Sequence, residues 1–200
     1  MDKGLFVTIS RPLAAAALMC GLAIAGCQST ADALRIGEGG ERNAGPCPRA
    51  FALYDAARIV EFRGEESFDT VGFTGEISKV RSLCRYVGER PITGDIEIDM
   101  NFGRGPAAAG QSTATYQYFV AVTRKNLAVI EKQVFPITVD FPEGVDRVSV
   151  TETIDQYVIP RATPTTSGEN FEIIIGFEVT PEQREFNADG RRFRVTVGQN

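Results

Sequence analysis

Asp95, Glu97 and Asp99 occupy alternate positions of the run Ile92 to Phe102, the densest group of acids in the chain. On a strand such residues share one face about 6.5 to 7 Å apart, whereas calcium needs about six to eight oxygens converging on one point. The row therefore reads as a solvated strand face, with a metal site the weaker reading and no cofactor expected. Gly103 to Gly110 is Gly-rich but lacks the Gly-Lys-Ser/Thr ending of a phosphate loop, so a flexible loop is expected. Arg191, Arg192 and Arg194 follow an Asp189-Gly190 turn; they could meet anionic lipid or lipopolysaccharide phosphates, but the charge protection of an edge strand is the favoured reading. Histidine is absent, which removes Ser-His-Asp and Cys-His catalysis and the commonest transition-metal ligand. The lysines beyond Lys3, namely Lys79, Lys125 and Lys132, stand in no Ser-x-x-Lys pattern, and the chain has no tryptophan to form a sugar-stacking platform. No catalytic residue is expected, and the chain reads as a non-enzyme.

Four cysteines remain to be placed. Lys3 and Arg11 precede an apolar run, Leu13 to Ala25, which is too short for a membrane span of about 20 residues and suits a signal h-region. It ends in Leu22-Ala23-Ile24-Ala25-Gly26-Cys27, which resembles the lipobox of bacterial lipoproteins. The resemblance implies a signal peptide over residues 1–26 and acylation of Cys27, with three acyl chains, palmitate among them. Each buried methylene contributes about 0.8 kcal/mol, so such an anchor holds firmly to a membrane. Family sorting places an aspartate after the cysteine of inner-membrane proteins. Here the residue is Gln28, which implies the outer membrane, facing the periplasm.

Residues 27–46 are polar and Gly-rich and read as a lipidated flexible linker, whose 18 residues from Gln28 to Gly45 reach about 20 to 25 Å. If Cys20 leaves with the leader and Cys27 takes lipid, Cys47 and Cys84 remain, and an oxidising periplasm favours a disulfide between them. Two separate buried thiols are the alternative, and without a C-x-x-C spacing a redox pair is a weak reading.

Residues 47–200 then form one domain. Apolar and β-branched runs recur between turns: Ala50 to Tyr54 continuing to Phe62 after a break, Gly75 to Val87, Ile92 to Phe102, Thr115 to Thr123, Leu127 to Phe141, Val145 to Ile159, Phe171 to Val179 and Arg192 to Val197. This spacing predicts an all-β fold, a single immunoglobulin- or fibronectin-like antiparallel β-sandwich. Tyr116 to Val122 and Phe171 to Val179 are nearly continuous apolar runs, expected as central strands covered on both sides. Thr180-Pro181-Glu182-Gln183 is a capping box, predicting a short helix that Asn187 to Gly190 ends. Tyr54 to Phe62 leaves a helical turn open.

The chain carries 21 basic and 26 acidic side chains; losing Asp2, Lys3 and Arg11 with the leader would leave 19 and 25, a net charge of −6. That sign argues against nucleic acid as a partner. The segments around Cys47-Pro48, Tyr118 to Val122 and Gly176 to Gln183 resemble a family of Gram-negative envelope lipoproteins of no assigned activity. The resemblance implies one domain and no catalytic residues. A lipid-anchored periplasmic module that binds an envelope protein or assists assembly is the expected function. The alternative is a binder of a small ligand or envelope polysaccharide.

Overall fold

Alternation along the acidic run sets one sheet face. In the computed structural model, which describes residues 43–125 and 128–192, Ile92–Arg104 is one strand. Its Ile96, Ile98 and Met100 are fully buried and Phe102 nearly so, while Asp95, Glu97 and Asp99 alternate with them on the opposite face. The described strands are β1 (Arg49–Ala52), β2 (Arg58–Phe62), β3 (Val71–Arg85), β4 (Ile92–Arg104), β5 (Thr113–Arg124), β6 (Val129–Asp140), β7 (Arg147–Ile159) and β8 (Phe171–Phe177). Two four-stranded sheets result, ordered β1-β8-β5-β6 and β2-β3-β4-β7. Their inner faces share one core, in which Phe102 stacks on Tyr116 and Phe177 closes edge-on against Phe102. The expected all-β sandwich is the fold.

Strand order adds what periodicity does not contain. β1 runs parallel to β8, with Arg49 opposite Glu172, while the other ladders are antiparallel. Most of the chain separates β1 from β8, so no hairpin forces the pair to be antiparallel. The order also differs from the ABED and CFG arrangement of immunoglobulin constant domains, and the likeness stays at the level of the sandwich.

β5 and β8 are the two central strands of their sheet, as their apolar runs predict. On their outer face Phe119 and Ile174 are half-buried. Lys132 lies 4.4 Å above the Phe119 ring and Arg49 5.1 Å from the neighbouring Phe51, long cations shielding apolar rings while their charges stay in water.

The break after Leu53 is a single 3-10 turn, Tyr54–Ala56, before β2 begins. The capping box opens a helix, α1 (Pro181–Ala188), in which the Thr180 hydroxyl accepts from Gln183 N and the Gln183 side chain accepts from Thr180 N. The helix is more than a connector, since Phe186 packs on the outer face of β2 against Val60 and Phe62. Buried Asn187 fixes it there, donating to the carbonyls of Asp55 and Arg58 at 2.9 and 2.8 Å. The final expected strand lies outside the described residues except for Arg192.

Of the expected linker, residues 43–46 lie among the described residues. Asn43 donates to the Cys84 carbonyl at 3.1 Å and accepts from Tyr86 N at 3.0 Å, and the Tyr86 hydroxyl donates to Pro46 O at 2.7 Å. Asn43 and Pro46 thus lie against the end of β3. The Gly-rich loop differs from its expectation. Ala108 is fully buried, and Gly105 passes so close to Val71 that a Cβ there would stand 2.3 Å from its carbonyl oxygen. Small residues let this loop pack on its own core.

Candidate functional site

The outer face of the β2-β3-β4-β7 sheet carries two different charge arrangements, one at each stretch of β4. Along Asp95, Glu97 and Asp99, strand register places Arg81 of β3 opposite Glu97. The Arg81 guanidinium bridges Glu97, at 2.7 Å, and both carboxylate oxygens of Asp99. Thr151 donates to Asp99 at 2.8 Å. Asp95 instead accepts from the backbone N–H of Gln156, whose φ of 59° lies at the irregularity where β4 and β7 change register. Each acid is thus committed to holding neighbouring strands. Among the described residues no group of three or more His, Cys, Asp or Glu is placed to hold a metal ion.

Hydrogen bonds from Arg81, then from Thr151, hold the Asp99 carboxyl down at about 2 against an ordinary 3.8. A depressed carboxylate contributes stability above its unfolded pKa and loses it as pH falls through the folded value. The Asp99 contribution is therefore complete above about pH 4 and gone near pH 2. Melting curves between pH 5 and 2 should show the stability gap between wild type and Asp99→Asn closing across that window. A gap that stays constant would refute the linkage.

At the other end of the same face, arginines collect. Register puts Gly103 of β4 beside Arg147 of β7, and Asn101 beside Ser149, whose hydroxyl donates to the Asn101 side chain at 2.7 Å. From the opposite side come Arg58 of β2 and, beyond α1, Arg191 and Arg192. These side chains line a cleft of about 320 Å³ between the sheet face and the C-terminal end of α1. Glu76, opposite Arg58 in register, is the acid in its lining. Arg191 is paired with Glu66 at 2.7 Å and lies over the Phe186 ring, and Arg147 has a partner of its own.

Arg58 differs. Its guanidinium lies 5.0 Å from the Tyr54 ring centre, yet its Nε and Nη2 are buried and have no hydrogen-bond partner. Arg161 shows what a satisfied guanidinium looks like here, with its nitrogens donating to the carbonyls of Arg90, Pro164, Thr166 and Gly88. Hydrogen bonding by Arg192 first and Arg58 second holds the Tyr54 phenol below its ordinary pKa.

The structure thus brings two residues of the predicted basic cluster, Arg191 and Arg192, to a cleft, and adds Arg58 and Arg147. Arg194 and Cys27 lie outside the described residues. Cys47 and Cys84 form a disulfide at the opposite end of β3, their Cα atoms 5.7 Å apart. Set against known protein families, curated sequences and solved structures, this chain matches none. Its function must be read from its own residues. Among the described residues no helix is long and apolar enough to cross a membrane.

Proposed function

We propose that this chain is a lipoprotein, acylated on Cys27 and held on the periplasmic face of the outer membrane, whose sandwich is a non-catalytic module for binding an envelope protein. The lipobox-like Leu22 to Cys27 supports the anchor and Gln28 the membrane. The observation that carries the binding role is the edge of the first sheet. Among the described residues β6 pairs with β5 alone, and its first half exposes Val129, Ile130 and Val134 at 59, 52 and 46%. That half, ahead of Pro136, is an exposed edge with apolar side chains beside Glu131 and Lys132, and such an edge can template a partner's strand.

Anchoring would keep that edge concentrated near membrane-bound partners. Cell fractionation tests the anchor: wild type should pellet with membranes through a salt wash, and Cys27→Ser should leave the membrane fraction. A Cys27→Ser chain still bound to membrane would overturn it. Crosslinking in intact cells tests the binding role. A discrete adduct with an envelope protein that Ile130→Lys abolishes supports it; an adduct unchanged by Ile130→Lys removes the edge from the account. A second reading, a binder of a small ligand, is favoured by the arginine-lined cleft.

A further inference from the structure

We propose that the cleft beneath α1 is a binding site for a small phosphate-bearing ligand, gripped edge-on by Arg58. The inference deepens the small-ligand reading and does not depend on the Cys27 anchor.

The deciding feature is which nitrogens of Arg58 are unpartnered. Nε and Nη2 form one edge of the guanidinium, and their two N–H bonds run parallel. That edge matches the spacing of two oxygens on a phosphate or carboxylate, the bidentate geometry for which arginine is suited. Both donors are buried with no acceptor. Buried donors in folded proteins nearly always have partners, because leaving one unmade forfeits the water it has lost. The edge thus presents two parallel donors to a pair of oxygens in the guanidinium plane.

The surrounding charge selects the ligand class. Arg58, Arg147, Arg191 and Arg192 face one carboxylate, Glu76, within the lining. With Glu66 and Asp189 both paired to Arg191, four arginines stand against three named carboxylates, and the site suits an anion. The volume of about 320 Å³ is at the small end of ligand sites, enough for a phosphate on a glycerol- or sugar-sized body. Tyr54, whose ring lies 5.0 Å from the Arg58 guanidinium, is 51% exposed. Phosphates of this kind occur free in solution and on lipid headgroups, and both present the same oxygens.

Calorimetry on the full chain in detergent micelles, at constant ionic strength, tests the site with inorganic phosphate and glycerol phosphate as probes. Both should bind wild type. Arg58→Met keeps the apolar stem and removes the fork, so binding should weaken by about tenfold or more, the effect of one lost charge-assisted contact. Without ligand the same variant should melt roughly 2 to 4 °C above wild type, because a buried unmet donor pair has been removed. Arg192→Ala, at the rim, should weaken binding by about threefold and guards against a misfolded Arg58 variant. Arg124→Ala, an exposed cation on β5, should change nothing.

Competition separates the sources. Displacement of glycerol phosphate by phosphatidylglycerol vesicles but not by phosphatidylcholine vesicles identifies a headgroup site, and no displacement by either identifies a soluble ester. Absence of heat with both soluble probes overturns the proposal, as does an equal loss in Arg124→Ala, which would mean diffuse charge attraction. Because these measurements need neither membrane partitioning nor a protein partner, they fail separately from the fractionation and crosslinking experiments.

Discussion

Replacing Cys47 and Cys84 together by serine is expected to lower the stability of the sandwich by about 4 kcal/mol, a fall in Tm of roughly 8 to 16 °C for a domain of this size. The two cysteines are 37 positions apart, and the bridge between them removes much of that loop's freedom from the unfolded chain. The folded state adds a local reason. The bridge staples the arm at Asn43 to Pro46 onto the end of β3, where Asn43 bonds Cys84 O and Tyr86 N and the buried Tyr86 hydroxyl both donates to Pro46 O and accepts from Gly168 N. Without the staple these bonds must form against the full entropy of a free arm. Scanning calorimetry of wild type with and without reductant, beside the double serine variant, checks the value. Reduced wild type should match the variant, and an unreduced mass showing two free thiols would remove the bridge from the account.

Truncating Phe177 to alanine should cost about 3 to 5 kcal/mol, or roughly 6 to 20 °C in Tm. Phe177 is fully buried at the end of β8, with its ring centre 6.1 Å from Phe102 and 6.2 Å from Tyr116, so it joins the two sheets. The Tyr116 hydroxyl sits in the same interior, where burial raises its pKa well above the ordinary tyrosine value, a sign of how little water reaches this layer. A cavity left there cannot collapse from one side alone, because strands on both sheets hold its walls. Phe177→Leu should cost much less, since most of the volume is kept. Leu83→Ala, at a side chain 78% exposed, should leave Tm within a degree or two of wild type. Equal effects at Phe177 and Leu83 would contradict this placement of the core.

Both predictions rest on patterns the sequence already contained to different degrees. Ile96, Ile98, Met100 and Phe102 alternate with polar neighbours, and a strand with one wet face is the only element that satisfies such a period. The capping box at Thr180 was equally legible, because its partners lie three residues apart. The acidic row was legible as a face, but its use was not. Arg81 reaches Glu97 and Asp99 only because β3 and β4 pair in one particular register. The cleft was half legible. Arg191 and Arg192 announce themselves by adjacency, whereas Arg58 and Arg147 are isolated residues in unremarkable strands, and neither composition nor spacing ties them to the others.

From its residues alone this chain determined an all-β sandwich, strands that build it, one short capped helix and a pair of cysteines suited to a bridge. These are local matters, fixed by side-chain period, turn chemistry and short motifs. The tertiary structure alone decided that β1 lies parallel to β8, that α1 covers β2, and that four arginines from distant segments share one cleft with a buried, unmet guanidinium edge. A period of two states which face a side chain takes and is silent on which strand lies beside it, so contacts between distant segments come only from how the sheets close.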